Sequence, residues 1–375
     1  MDVSTYEATG STQGAANDLN RRMRVADTAS RITFAANEDL GGGMKAGVYC
    51  ETGINIDNAA ATGQANTANA NTSEWCSREG RAYIGNATGE IRLGRQNVWW
   101  TQGALNEAGS TFIGSDTFTN LQNGGVGVFG VRLENMVKVV AGSAMGAFAG
   151  SEFYTGVMGN AQGEAAAANT SPKGKYYGFK LMYTQGNIVG MIDHQNSSAA
   201  ATSTSTAGVS VGANSFDRSA YKYGLGYKYN PTSIVALQYW TKKRTDNTNP
   251  TAAFASPFLL QAAGAQAVTA GNAKDSGYGV YVKHDLGGGM LVHAQYGKAN
   301  NLKSDAGDVA DSGATAYTLG LTKALSKRTH IYTAYHAINN QVAAAYNMTG
   351  GNYASGTSSQ GADIKMYSLG MIHNF

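Results

Sequence analysis

The sequence is poor in proline, cysteine and charge, and each shortage excludes something. Of 375 residues, 4 are Pro and 2 are Cys, and charged residues make up 14 %. Two cysteines, Cys50 and Cys76, are too few for a structural zinc site and do not form a CxxC pair. No apolar run approaches the ~20 residues a transmembrane helix needs. Mean hydropathy is −0.27, a soluble value by hydropathy alone. A transmembrane β-barrel also keeps such a value, because lipid-facing and lumen-facing residues alternate along its strands. The first residues carry no signal-peptide pattern, so the protein is read as either not exported or already processed. There is no Gly-Lys-Ser/Thr phosphate loop. No basic run has interleaved aromatics, so nucleic acid is not an expected partner.

Glycine and tyrosine are abundant, at 49 and 21 residues. Gly costs a helix interior about 1 kcal/mol relative to Ala, so this composition suits tight turns and aromatic strands. The length allows two or three ordinary domains or one large all-β domain. Asp39-Leu-Gly-Gly-Gly-Met44 recurs letter for letter as Asp285-Leu-Gly-Gly-Gly-Met290. No helical pattern follows either copy, so both read as hairpin turns whose glycines supply positive φ. The row YKYGLGYKY (221–229) alternates with period two. Tyr221, Tyr223, Leu225, Tyr227 and Tyr229 share one face, and Lys222, Gly224, Gly226 and Lys228 the other.

Connectors alternate in length. Short ones fall at EDLGGGM, GNATGE, AGSAMG, TQGN, YNPT, HDLGGGM and ALSKRT. Long ones, rich in Ala, Gly, Asn, Ser and Thr, cover 58–73, 158–174, 199–219, 247–275 and 342–362. Long loops are uncommon in compact domains, and a strict short–long alternation is the pattern of up-and-down hairpins in a barrel. Seven short turns between eight loop-capped hairpins predict 16 antiparallel strands in a single domain, 1–375. The final strand DIKMYSLGMIHNF puts Tyr367, Leu369, Met371, His373 and Phe375 on one face and ends on the aromatic.

These pieces, taken in order, resemble the Gram-negative trimeric general porins of the β-proteobacterial branch. They are DLGGGMKAGVYCETGINID at 39–57, GRAYIG at 80–85, GEIRLGRQ at 89–96, ENMVKV at 134–139, ALSKRTHIY at 324–332 and GMIHNF at the end. The resemblance implies an all-β fold: a 16-stranded antiparallel transmembrane barrel with short periplasmic turns and long extracellular loops. It implies a homotrimer in the outer membrane, in contact with lipid and lipopolysaccharide, and a third loop, about 97–125, folded into the lumen. Met371, His373 and Phe375 become the signal read by the barrel-assembly machinery. The first strand of such proteins begins several residues before the equivalent of MDVSTYEA, so this chain is read as starting inside it. The third loop departs from the family form, with Glu107 and Asp116 as its only acids.

A pore needs a wet lumen and a field at its narrowest point, with no cofactor or metal. In EIRLGRQ, Ile91 and Leu93 suit the lipid face, which turns Arg92 inward. In RLENMVKVV, Leu133, Val137 and Val139 are expected outside, and Arg132, Glu134 and Lys138 inside. Arg81 is a further wall position, and Arg22, Arg24 and Arg31 lie near the first loop. Arg95 has the opposite parity and suits an anchor for the third loop, which Trp99 and Trp100 open by packing on the wall. A charge on the lipid face near the midplane costs about 2–4 kcal/mol, so lumen or rim is required. The net charge of +3 and the few acids of the third loop predict a weak anion preference. Cys50 and Cys76 flank the connector 58–73 and could form a disulfide. Tyr221, Tyr229, Tyr239 and Trp240 suit aromatic girdles.

Three other functions compete. A barrel enzyme would need a His beside a nucleophile or metal motif. None of His194, His284, His293, His330, His336 and His373 neighbours a GxSxG or HExxH pattern. An adhesin would carry its function in loops richer than these. A substrate-specific channel would differ only in its pocket. The reading is therefore a porin for passive diffusion of small hydrophilic solutes and ions.

Overall fold

The computed structural model describes residues 2–26, 30–54, 75–98, 121–122, 132–158, 174–198, 216–246, 271–305, 307–348 and 360–375. The strands in chain order are β1 (Asp2–Thr9), β2 (Leu19–Ala26), β3 (Arg31–Gly41), β4 (Met44–Gly53), β5 (Glu79–Gly85), β6 (Gly89–Asn97), β7 (Arg132–Ala141), β8 (Glu152–Met158), β9 (Gly174–Gln185), β10 (Ile188–Ser198), β11 (Phe216–Asn230), β12 (Ser233–Asp246), β13 (Ala273–Gly287), β14 (Met290–Ala299), β15 (Lys303–Ser304), β16 (Gly307–Asp308), β17 (Ala314–Ala324), β18 (Thr329–Asn340) and β19 (Asp363–His373). From β3 to β14 each strand pairs antiparallel with the next. β14 then pairs with β17, and β17, β18 and β19 follow in order. β15 and β16 form a small hairpin that extends the loop end of β13.

β19 pairs with β1, and β1 with β2. The first and last strands of the chain thus meet, which brings the sheet round on itself. β2 and β3 run in the same direction, separated by residues 27–30, and no pairing joins them among the described residues. Every backbone donor and acceptor of a spanning strand must be satisfied inside the wall, and such a sheet does this with inter-strand bonds.

The seven expected short connectors all lie at one end of the sheet, together with Phe375. The two DLGGGM copies fold alike. Gly41, Gly42 and Gly43 have φ of 82, 60 and 80°, and Gly287, Gly288 and Gly289 have 82, 60 and 75°. In each copy the Asp carboxylate accepts from the backbone N–H two residues on, at 2.9 Å for Asp39 and 2.7 Å for Asp285. The connector at AGSAMG is longer than expected. It runs from 142 to 151 and contains a 3-10 stretch, Ser143–Phe148. β11 and β13 begin at Phe216 and Ala273, earlier than the composition of their loops suggested. Ser, Asp and Lys there read as loop residues, yet they belong to strands whose ends stand in water.

Alternation divides the wall into two faces. On β11 the outward residues Tyr221, Tyr223, Leu225, Tyr227 and Tyr229 are exposed, while Lys222 is fully buried. On β19 Tyr367, Leu369 and Met371 are exposed, as is Phe375 just beyond it, while Ile364, Met366 and Ser368 are buried. Large apolar side chains face out because their solvent is lipid. Two expectations fail by parity. Trp240 is buried on the inner face, its ring lying over Gly277, where an added Cβ would stand 2.1 Å from Cζ2; it belongs to no girdle. Leu133, expected outside, is 1 % exposed and packs with Val98, Met136, Tyr154 and Tyr176. Asn135, with φ 53°, and a register shift opposite Gly94 and Gln96 break the alternation there.

The interior is divided as well. On one side Leu121, Trp240, Leu302, Ile338, Tyr346, Met348, Ile364 and Met366 form an apolar cluster. It includes the first residues after β18, held by Tyr6 Oη–H donating to Asn347 Oδ1 at 2.9 Å and by Asn340 Nδ2–H donating to the Tyr346 carbonyl at 2.9 Å. The polar side lies across β3–β8.

Candidate functional site: a charged recess on the inner wall

β4, β5 and β6 supply the recess by simple alternation. In KAGVYCETG, Tyr49 and Glu51 point inward between outward Val48 and Cys50; in EGRAYIG, Glu79, Arg81 and Tyr83 alternate with outward Gly80, Ala82 and Ile84. The ladder confirms the shared face, with Glu51 opposite Glu79, Tyr49 opposite Arg81, and Tyr83 opposite Arg92. Together with Arg31 and Thr33 of β3, Gln96 and Asn97 of β6, Lys138 of β7 and Glu152 of β8, Tyr49, Glu51, Glu79, Arg81 and Arg92 line a recess of about 400 Å³. Its lining carries four cations, Arg31, Arg81, Arg92 and Lys138, and three carboxylates, Glu51, Glu79 and Glu152.

The charges are tied in place. Glu51 accepts from Arg78 Nε at 2.6 Å and lies 3.6 Å from Arg31 and 3.9 Å from Arg132. Arg81 donates to Glu79 at 2.5 Å, and its guanidinium lies 3.9 Å from the centre of the Tyr49 ring. Arg92 pairs with Glu90. Lys138 pairs with Glu152 at 3.0 Å and also donates to the Asn97 carbonyl; Lys180 shares Glu152 at 3.5 Å. Further round the wall Asp193 stands between Lys180 and Lys222 in the ladder, and Lys242 pairs with Asp275 at 3.1 Å. Held in this way, the side chains are fixed around the recess.

Of the residues expected at the pore, Arg81, Arg92 and Lys138 line the recess, and Arg132 reaches its edge through Glu51. Arg31 lines it too. Glu134 does not line it; it is held by Arg95, whose Nη1 donates to Glu134 at 2.8 Å and whose Nε donates to the Ser77 carbonyl at 3.1 Å. Glu107, Asp116, Trp99 and Trp100 lie outside the described residues. The connector between β6 and β7 is described at Val98, Leu121 and Gln122 alone. Leu121 and Gln122 lie against the inner face of β12: Lys242 Nζ donates to the Gln122 carbonyl at 2.7 Å, and Gln122 Nε2 donates to Gln238 at 3.1 Å. Glu51, Glu79, Arg78 and Glu152 were not foreseen. Their signal was present, since Glu51 shares parity with Tyr49 and Glu79 with Arg81. Cys50 and Cys76 are joined as a disulfide, with Cα atoms 4.6 Å apart, and Trp75 beside it packs at a tilt against Phe34, ring centroids 5.3 Å apart. Of the histidines, His194 stacks on Tyr221 at 4.2 Å, and His336, His293 and His373 each hydrogen-bond a threonine hydroxyl, those of Thr318, Thr322 and Thr329, at 3.0, 3.3 and 2.9 Å.

A sequence model of Gram-negative porins matches residues 2–343. Outer membrane porin protein 32 of Delftia acidovorans is 25 % identical over 354 residues, covering 93 % of this chain and 85 % of that protein. Among solved structures, the anion-selective porin from Comamonas acidovorans shares the fold with a TM-score of 0.69 at 21 % identity, over 100 % of this chain and 97 % of the other. The trimer form of OmpT from Vibrio cholerae does so with a TM-score of 0.63 at 12 % identity, over 100 % and 97 %. An all-β sheet that is apolar outside and charged within, matched along nearly its whole length, points to a channel wall, and the chain belongs to the family of Gram-negative porins, channels of the outer membrane.

Proposed function

We propose that the recess on β3–β8 is the selectivity station of a general diffusion pore that favours small anions over cations. The observation that carries this is the balance of its lining, four cations against three carboxylates, with Arg78 and Arg132 adding to the positive side around Glu51. Fixed charge at a narrow point acts on ions more strongly than charge spread over outer loops. The name of the Comamonas relative, an anion-selective porin, supports the same sign. Leu121 and Gln122, seated on the inner face of β12, support a third loop folded into the lumen, and Glu107 and Asp116 are its acids.

Counting β2 and β3 as one stave and leaving out the hairpin β15–β16 gives 16 staves in one domain, with short turns toward the periplasm and long connectors outside. The protein acts as a homotrimer and carries no catalytic activity. Reconstitution in a planar bilayer across a KCl gradient tests the reading. Steps arriving in threes with a reversal potential on the chloride side are expected; a potential on the potassium side refutes the assignment of sign.

A further inference from the structure

The four residues ahead of β5, Trp75 to Arg78, pass from the outer face of the wall to the recess. Trp75 and Cys76 lie outside. Cys76 is joined to the outward Cys50 of β4, which stands opposite Gly80 in the β4–β5 ladder. A Cβ added at Gly80 would stand 3.0 Å from the Cys76 Cβ, so the chain doubles back over the first residues of β5. Cys76 makes this reversal at φ 61°, a conformation that a residue with a Cβ holds only where its surroundings impose it.

Two residues on, the same segment reaches the inner face. Arg78 Nε donates to Glu51 Oε1 at 2.6 Å, and its stem passes Gly53, where an added Cβ would meet Arg78 Cδ at 3.3 Å. Glu51 has other partners, and each is placed by a strand. Arg31 belongs to β3 and Arg132 to β7, at 3.6 and 3.9 Å, and Tyr49 of β4 donates to Glu51 Oε2 at 3.0 Å. Arg78 is the nearest of these three arginines, yet it precedes β5, which begins at Glu79. Besides the disulfide and the Trp75–Phe34 contact, single hydrogen bonds tie the segment down. Cys76 N–H donates to Thr52 Oγ1 at 2.8 Å, and Arg78 N–H to the Glu51 carbonyl at 2.9 Å. Such bonds exchange with bonds to water at little net cost; the disulfide does not. The Ser77 carbonyl accepts from Arg95 Nε at 3.1 Å, but Arg95 keeps a second hold on Glu134 at 2.8 Å and does not depend on this segment.

We infer that the Cys50–Cys76 disulfide is a positioning device for ion selectivity, holding Arg78 on Glu51, a role that rests on the recess being the selectivity station proposed above. With the bond closed, the Arg78 charge offsets that of Glu51 at the recess. With it open, Arg78 leaves Glu51 for part of the time and the recess becomes more negative. A disulfide that served stability alone would leave selectivity as it is.

The experiment reads the chloride-to-potassium permeability ratio from reversal potentials across a KCl gradient, for the natural chain, C50S/C76S, R78Q and R78Q/C50S/C76S. Each is first shown to be folded by its heat-modifiable band on gels. The bond is also opened in the assembled pore, by treating the natural chain and R78Q in the bilayer with dithiothreitol. Its S–S bond then breaks to two thiols, and the dithiol, giving up two electrons and two protons, closes to its own disulfide. R78Q is expected to lower the ratio by about threefold at 0.1 M salt, since one unit charge is removed. Opening the disulfide, by either route, is expected to lower it by about twofold where residue 78 is Arg and to leave it unchanged where residue 78 is Gln, because positions acting through one contact are not additive. A natural ratio after opening overturns the inference, and so does an equal fall with Arg or Gln at position 78. Arg81→Gln separates this inference from the reading beneath it. If Arg81→Gln shifts the ratio and opening the bond does not, the station stands and the positioning role falls; if neither shifts it, the station itself is refuted.

Discussion

Arg81 and Glu79 form a pair whose two members bear on selectivity with opposite sign, and exchanging either for Gln changes the recess by one charge. Arg81→Gln takes the lining from four cations and three carboxylates to three and three, and Glu79→Gln takes it to four and two. A unit charge about 7 Å from a passing ion is worth about 0.6 kcal/mol in water. Screening with a Debye length of about 10 Å at 0.1 M salt halves this to about 0.3 kcal/mol. Chloride and potassium feel it with opposite sign, so their permeability ratio changes by about threefold at 0.1 M, and by about fivefold at 0.01 M, where the Debye length is about 30 Å. Arg81→Gln is expected to lower the chloride-to-potassium ratio and Glu79→Gln to raise it, each more at low salt. The assay is the reversal potential across a KCl gradient in planar bilayers at two ionic strengths. If both variants shift the potential the same way, or neither shifts it, the recess does not set selectivity.

Other consequences follow from the packing. Gly277→Ala places a Cβ 2.1 Å from Trp240 Cζ2 and 2.4 Å from the Lys298 carbonyl, and the heat-modifiable folded band on gels is expected to be lost. Gly190→Ala is expected to keep that band, because its Cβ meets only Tyr183 Cβ, at 3.7 Å. Gly42→Val puts a β-branched residue at φ 60° and is expected to cost about 1–2 kcal/mol in urea-refolding titrations. Removing both Cys50 and Cys76 opens a loop spanning 26 residues and is expected to cost about 3.5 kcal/mol in the chain-entropy model; in the natural chain, neither thiol should alkylate without reductant. Lys242→Met removes the 3.1 Å ion pair to Asp275, whose side chain is 3 % exposed, and is expected to destabilise the barrel by about 3–5 kcal/mol, read as a lower unfolding temperature.

Much of this architecture is local and was legible. The alternation YKYGLGYKY assigns β11 and both of its faces, because successive strand residues point to opposite sides whatever surrounds them. DLGGGM specifies its turn through three glycines and an Asp that caps its own backbone. The alternation of short and long connectors fixed the hairpin order. Arg92 and Lys138 followed from parity on strands that the family resemblance singled out, and Glu51 and Glu79 could have followed from the same rule. Tertiary structure decided what parity cannot carry. Leu133 turned inward because Asn135, at a positive φ, and the register shift beside it break the alternation at that point. Trp240 reads as a girdle residue by type and is an inner one by register. Glu134 was claimed by Arg95 at 2.8 Å, a contact between strands that are far apart in sequence. The sequence by itself thus determined that this chain forms a wall with a lipid side and a water side. Which charges meet across the water side was decided by strand register, since only ladder pairing brings Arg31, Arg78 and Arg132, drawn from three separate segments, to a single carboxylate, Glu51.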